Sequence, residues 1–374
     1  MYKRTLENSI KSKLFKGKVV IIYGPRQVGK TTLSKKIMNE SGVKTLYIQA
    51  DIESQRDLIS KPEPKQLKSV FGDAKLVVID EAQNITNIGT VLKTFVDTYP
   101  NIQIIATGSS SFELSNKIKE PLTGRVYEFF LYPLSVEEIS NDSLVEFKGR
   151  EDFLMRYGFY PGIINSGIDE ARINLETIKE SYLYKDVFIL EDIKKPEVLR
   201  KLVTLLAFSI GSSVSVNSLA VEIGTTAKTI ERYLDLLEKM FVIKRLYGFS
   251  RNLSNEIKKG FKAYFVDIGI RNSIIKNHND IEHRDDIGGL FENLFVIERI
   301  KYHNNHEIFA NRYFWRNYNS LEVDYLEERD GKLFAFECKY KERPSKGLKV
   351  FEEEYKNSEI VIVHKDNLFG SIKK

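Results

Sequence analysis

Lys18-Val19-Val20-Ile21-Ile22-Tyr23-Gly24-Pro25-Arg26-Gln27-Val28-Gly29-Lys30-Thr31-Thr32 decides how the first third of the chain is read. Val19–Tyr23 is an apolar run of strand length, and Thr32–Asn39 has the make-up of a helix. Between them, Gly24–Thr31 fits G-x-x-x-x-G-K-[ST]. The order has a physical purpose. Glycines let backbone N–H groups curl around phosphates, and the following helix adds the positive end of its dipole at the same point. Lys30 then reaches the β- and γ-phosphates of ATP, and the Thr31 hydroxyl is placed to ligate Mg2+. Gly24, Pro25, Arg26, Gln27, Val28, Gly29, Lys30, Thr31 and Thr32 are therefore the candidate nucleotide-binding residues. A glycine loop that fits by chance is the alternative, and a strand before it with a helix after it weighs against that.

Further along, Leu76-Val77-Val78-Ile79 leads into Asp80-Glu81. An apolar strand ending in two acids supplies what a P-loop lacks. Asp80 is expected to hold the magnesium shell, and Glu81 to polarise the attacking water. The strand Ile102–Thr107 ends at Gly108-Ser109-Ser110-Ser111, where Thr107 or Ser109 is a candidate sensor of the γ-phosphate, against an ordinary strand-end cap. Arg125 is a candidate for stabilising transition-state charge, in cis or in a neighbouring subunit, against a plain surface arginine. With Val19–Tyr23 and Thr45–Ile48, these runs have the rhythm of a parallel sheet flanked by helices.

The bulk numbers limit the rest. A chain of 374 residues calls for two or three domains. A net charge of +5 permits nucleic acid as a partner without demanding it. The single cysteine, Cys338, rules out an internal disulfide and a cysteine zinc cluster, and suits a reducing cytoplasm. The five histidines are scattered without zinc spacing. Met1–Lys18 has no apolar core of a secretory signal, and the longest apolar runs are strand-sized, so no membrane partner is expected.

The middle of the chain has a helical period. Val214–Gly224 reads as a short helix closed by glycine. Thr225 or Thr226 caps a second helix, Ala227–Lys239, and a strand follows at Met240–Tyr247. This is the order of a helix-turn-helix with a wing, in which Lys228, Thr229 and Arg232 would face a DNA groove. Lys244–Lys262 carries Lys244, Arg245, Arg251, Lys258, Lys259 and Lys262 against the single acid Glu256, a stretch able to lie along phosphates. Packing modules and solvated lysines are the competing reading. Asp267, at the end of an apolar strand, reads as a structural turn acid.

At the C-terminal end, Leu321–Leu326 and Leu333–Lys339 read as antiparallel strands joined near Asp330-Gly331. That pairing brings Asp324 and Glu337 together, with Lys339 on the same face as Glu337. Two carboxylates and a lysine are what metal-dependent phosphodiester cleavage needs. Glu292, on an apolar-faced helix, is the candidate third acid. A lone E-x-K on an exposed strand is common by chance, and the hairpin and Glu292 raise its weight.

Gly24–Thr32, Val78–Gln83, Thr107–Ser110, Gly124-Arg125 and Tyr132-Pro133-Leu134-Ser135 together resemble the archaeal and bacterial branch of AAA-type ATPases, in which the ATPase precedes a C-terminal domain of uncharacterised function. Asn217, Leu219-Ala220, Thr229, Tyr233-Leu234, Lys262–Gly269, Trp315-Arg316, Glu322-Val323-Asp324 and Phe336–Lys339 fit that pattern as well. The resemblance implies an AAA-like core that assembles as a ring or acts as a monomeric switch. Asp324 with Glu337-Cys338-Lys339 also resembles the D…E-x-K signature of the restriction-endonuclease-like superfamily, departing from it where Val323 stands in place of a frequent proline.

The expected architecture is α/β: an AAA-like P-loop domain over residues 1–135, a helical lid or linker over 136–195, a winged helix-turn-helix over 196–262 and a restriction-endonuclease-like domain over 263–374. The first expected function is an ATP-dependent enzyme acting on DNA. The second is an ATP-controlled switch whose C-terminal domain is an inactive nuclease fold that binds DNA or protein. The third is a regulatory ATPase with protein partners only. ATP and Mg2+ are the expected cofactors, and a homo-oligomer is open.

Overall fold

A computed structural model describes residues 2–61, 63–109, 122–186, 195–250, 260–317 and 319–374. The chain divides into two compact units, Met1–Pro133 with Lys239–Phe241, and Leu134–Glu238 with Val242–Lys374.

The first unit is built on a five-stranded sheet of β1 (Val19–Tyr23), β2 (Thr45–Gln49), β3 (Leu76–Asp80), β4 (Gln103–Gly108) and β5 (Val126–Phe130), in the order β2-β3-β4-β1-β5. Every neighbouring pair is parallel. The three inner strands β1, β3 and β4 are buried along their whole length, which is why they read as unbroken apolar runs. β5 was not proposed from the sequence. It is a half-exposed edge strand, and its Glu128 interrupts the apolar run. The helix Leu6–Lys13 was also unforeseen. Its buried Glu7 accepts from Lys11 (2.6 Å) and from Lys36 (2.7 Å) of the helix that follows the P-loop.

The second unit opens with helices Val136–Ser140, Leu144–Tyr157 and Ile168–Ile178. Ser135 and Glu138 form a reciprocal capping box at the first of these. Helix Pro196–Phe208 leads to β6 (Ser213–Val214), helices Val216–Ile223 and Ala227–Lys239, and strands β7 (Ile243–Gly248) and β8 (Phe261–Phe265). Helix Ile287–Asn305 precedes β9 (Asn311–Arg316), β10 (Glu322–Arg329) and β11 (Lys332–Cys338); then come helix Lys346–Glu354 and β12 (Ser358–Val363).

These strands form one seven-stranded mixed sheet, β12-β11-β10-β9-β7-β8-β6. β6 and β7 pair antiparallel with β8, and β7 continues into β9 in parallel, through Tyr247↔Tyr313 and Gly248↔Phe314. The boundary expected at 262/263 thus falls inside β8. Asp330 (φ +49°) and Gly331 (φ +73°) make a two-residue turn between β10 and β11, the conformation that Asp-Gly favours. One face of the sheet is closed by helix Lys346–Glu354, whose Leu348 and Phe351 pack with Trp315, Val323, Leu326 and Phe249. Asp267 caps helix Ile268–Ile274 and accepts from the Phe159 N–H at 2.7 Å, so its role is structural. No helix of the described residues is long and apolar enough to cross a membrane.

Candidate nucleotide site and the acidic cluster of the mixed sheet

Parallel pairing puts the C-terminal ends of β1, β3 and β4 side by side, and each ends in a polar segment. The loop leaving β1 turns through Gln27 (φ +62°) and Gly29 (φ +97°) into helix Lys30–Glu40. A Cβ at Gly24 would lie 2.2 Å from the Leu131 carbonyl oxygen, so the loop passes that backbone too closely for any side chain. Arg4 braces the loop from outside it, donating to the carbonyls of Val28 (2.9 Å) and Tyr132 (2.6 Å). Arg26, Gln27 and Thr32 are exposed, and Val28 is buried.

Lys30 is buried, and its ammonium donates to the carbonyls of Gly24 and Pro25, both at 2.9 Å. Burial pulls its pKa down to about 8, against the upward pull of Glu81 and Asp80. The lysine is therefore held inside the phosphate loop by weak dipoles, with no carboxylate bonded to it among the described residues.

Asp80 is buried at the end of β3 and accepts from three hydroxyls. Thr31 Oγ1 donates to its Oδ2 at 2.7 Å, Tyr47 OH to the same oxygen at 2.6 Å, and Thr107 Oγ1 to Oδ1. The Thr31 and Asp80 side chains fit the oxygen-only chemistry of a magnesium site that nucleotide phosphates and water would complete. Glu81 follows in a left-handed conformation (φ +53°), uncommon for a non-glycine residue. Its N–H donates to Thr107 Oγ1 at 3.2 Å. Gln83 Nε2 donates both to Glu81 Oε2 (2.6 Å) and to Ser109 Oγ (3.1 Å). Thr107 is thus engaged with Asp80, and Ser109 is the strand-end hydroxyl linked to Glu81. Ser110 and Ser111 lie outside the described residues.

Arg125 does not join this site. It precedes β5, whose first residue pairs with Val19 at the start of β1, while the P-loop leaves the far end of that strand. The separation is five strand residues, on the order of 15 Å. Its guanidinium donates to Asp97 at 2.6 Å. The expectation of action in cis is corrected by the parallel order of the sheet.

In the second unit the expected acids do converge. The β10–β11 register, taken one step past Tyr325↔Phe336, sets Asp324 opposite Glu337. Asp324 accepts from the Cys338 N–H at 2.9 Å, and Lys339 lies 2.8 Å from Glu337. What stands among the acids is a lysine. Lys262 Nζ, fully buried on β8, donates to Glu292 Oε1 (2.9 Å) and Asp324 Oδ1 (3.2 Å), and is ion-paired with Glu322. Tyr264 OH adds a hydrogen bond to Glu292 at 2.6 Å. Burial and then the Asp324 charge push the Glu292 pKa up to about 8. Burial works against the Lys262 charge, but Glu292 and the neighbouring acids outweigh it and raise its pKa well above the usual value. Among the described residues no three His, Cys, Asp or Glu side chains are arranged to hold a metal ion. The Lys262 ammonium bonds two of the three carboxylates expected to ligate magnesium here, Glu292 and Asp324, while Glu337 pairs with Lys339 and keeps one buried oxygen, Oε2, without a partner among the described residues, so a metal would have to displace Lys262.

Two of the cations expected along phosphates are used internally. Lys262 is one. Arg245 is the other, its guanidinium bonded to Glu231 (2.8 Å), Asp235 (2.5 Å) and Glu238 (2.7 Å) of helix Ala227–Lys239. Thr229, expected to face a groove, spends its N–H and hydroxyl on Thr226, which caps the helix. Lys228 and Arg232 are exposed, with Arg232 over the Tyr233 ring at 5.2 Å. Arg251, Lys258 and Lys259 lie outside the described residues.

Residues 16–140 match the model of the AAA domain family. The N-terminal region is accordingly AAA-type and P-loop-ATPase-like. Residues 150–280 and 287–373 match two models, each described as a domain of unknown function (DUF8612 and DUF4143). The chain is similar to uncharacterized proteins of Mycobacterium tuberculosis (26% identical over 337 residues, 89% of this chain and 72% of the relative) and Haemophilus influenzae (25% over 282 residues, 69% of each). Another, of Methanocaldococcus jannaschii, is 27% identical over 271 residues, 66% of this chain and 60% of the relative.

Within the first unit, sequence reasoning missed Arg4, Tyr47 and Gln83 as site residues. Gln83 lay within the quoted motif, two residues after Glu81, and its amide was the available signal. Tyr47 and Arg4 gave no local signal, since only the packing of β2 on β3 and of the N-terminal segment on the loop brings them in.

Proposed function

We propose that the AAA domain binds ATP with Mg2+ and hydrolyses it. The observation that carries this reading is the buried Asp80 carboxylate bonded to Thr31 at the mouth of a phosphate loop whose lysine has no anionic hydrogen-bond partner among the described residues. Thr31 and Asp80 would hold Mg2+, which would supply charge neutralisation for the transferred phosphoryl group. Lys30 releases the Gly24 and Pro25 carbonyls to meet the phosphates. Glu81 accepts a proton from the attacking water, and Ser109 contacts the γ-phosphate side of the site. The test is nucleotide binding and turnover in Lys30→Ala and Glu81→Gln. The first is expected to lose binding. The second is expected to keep binding while turnover falls by about a hundredfold or more; undiminished hydrolysis in Glu81→Gln would remove it from the mechanism.

A second reading concerns the rest of the chain. We infer that the C-terminal region serves as a nucleotide-controlled binding module that does not cleave. The Lys262 ammonium among Glu292, Glu322 and Asp324 favours it over the metal-dependent nuclease. The partner of first resort is DNA, through exposed Lys228 and Arg232, with a protein or a second copy of the chain as alternatives. The experiment is ATP turnover with and without duplex and branched DNA, alongside a cleavage assay in Mg2+ and Mn2+. DNA-stimulated turnover without cleavage is expected. Cleavage that disappears in Glu337→Ala would overturn the non-cleaving assignment, and turnover indifferent to every DNA would turn the search to protein partners.

A further inference from the structure

We propose that Tyr47 is a positioning residue for the magnesium site: its phenol fixes the Asp80 carboxylate so that one lone pair is left to face the metal's shell. This rests on the ATP reading above and adds a residue to it.

The case is one of counting. An ionised carboxylate offers about four lone-pair directions. At Asp80 three are taken by hydroxyls that can donate, those of Thr31, Tyr47 and Thr107. Thr31 has a second duty, because its oxygen keeps a lone pair for the metal while its proton ties it to Asp80. Thr107 also accepts from the Glu81 N–H. Tyr47 alone reaches Asp80 from the far side of β3. In the β2–β3 register Tyr47 pairs with Val78 and Gln49 with Asp80, so Tyr47 is the diagonal neighbour of Asp80 across the strands. The Lys35 ammonium lies over the Tyr47 ring, 4.4 Å from the centroid. Lys35 belongs to the helix that starts at the P-loop. The phenol thus contacts both the phosphate-loop helix and the acid.

The direction of the proton follows from the pair itself: the Tyr47 hydroxyl donates and the Asp80 oxygen accepts. Without that donor, Oδ2 keeps only Thr31, and the carboxylate is free to rotate away from the metal or to compete for the Thr31 proton. Hydrogen bonds to metal-organising carboxylates commonly change metal affinity by about tenfold or more.

The test is the affinity of a fluorescent ATP analogue, measured in EDTA and in saturating Mg2+, for the full-length wild type and for Tyr47→Phe. The ring and its contact with Lys35 persist in the variant, so the fold is preserved. The affinity in EDTA is expected to stay within about twofold, and the gain conferred by Mg2+ to shrink by about tenfold. In an Asp80→Asn background, Tyr47→Phe is expected to have no further effect, because the acid it positions is gone. An unchanged Mg2+ gain in Tyr47→Phe, or an equal loss with and without Mg2+, overturns the inference. A wild type whose nucleotide affinity is indifferent to Mg2+ overturns the underlying ATP reading instead.

Discussion

Lys262 Nζ donates to Glu292 Oε1 at 2.9 Å, joining β8 to helix Ile287–Asn305 through the carboxylate that the sequence offered as a metal ligand. The lysine side chain is fully buried and Glu292 nearly so. Removing the cation strands Glu292, Asp324 and Glu322 together. Lys262→Met is expected to lower stability by about 3–5 kcal/mol in urea unfolding, and adding Glu292→Gln to recover part of that loss. A cost below about 1 kcal/mol in Lys262→Met would contradict the role of a resident counter-ion.

Lys30 gives the nucleotide site a pH signature. With its pKa lowered to about 8, the free protein has largely lost this charge by pH 9. Phosphates raise the pKa again, so binding above pH 8 takes up a proton, and below pH 7 it takes up little because Lys30 already holds it. Nucleotide affinity is expected to fall about tenfold from pH 7 to pH 9, with uptake of about one proton at the upper end. Calorimetry in two buffers of different ionisation enthalpy measures both. Affinity that holds steady to pH 9 without proton uptake would contradict the assignment.

Gln83 donates to Glu81 and Ser109 from one nitrogen, so it orients the general base of the proposed reaction. Gln83→Ala is expected to lower kcat by about tenfold with KM little changed. Steady-state kinetics separates the two. A rise in kcat would instead mark Gln83 as a restraint on Glu81.

Arg245 bonds Glu231, Asp235 and Glu238, which are a quarter to a half exposed. Water screens part of the charge released when the guanidinium is lost, so Arg245→Ala is expected to cost about 2 kcal/mol. Lys228→Ala, at an exposed position, is expected to cost less than about 0.5 kcal/mol. Thermal or urea unfolding of the two variants side by side checks the contrast. Equal, small effects would mean that Arg245 is a surface charge after all.

Much of the nucleotide site was legible because its signals are local. Buried parallel strands read as unbroken apolar runs, and the P-loop and the Asp80-Glu81 pair sit within a few residues of those strand ends. The Asp330-Gly331 turn was legible for the same reason, and with it the approach of Asp324 to Glu337. β5 was not, since an edge strand half open to solvent carries a mixed pattern. The placement of Arg125 away from the phosphate loop of its own chain was not legible either, because a motif gives spacing along the chain and not the end of the strand at which it lies.

Two cations of the basic stretch turned inward for a different reason. Charge counted along a sequence takes no account of where each side chain ends. Lys262 looked like a phosphate contact, and its strand turned it into the interior to face three acids from β10 and helix Ile287–Asn305. Arg245 was taken up by helix Ala227–Lys239, and Tyr47 became a partner of Asp80 through the pairing of β2 with β3. The sequence by itself determined the phosphate loop, the acids of the two sites and most of the strands, because backbone periodicity and short motifs are properties of neighbours in the chain. The tertiary structure alone decided which cation meets which carboxylate, because Coulomb and hydrogen-bond partners are chosen by proximity in space among residues tens to hundreds of positions apart.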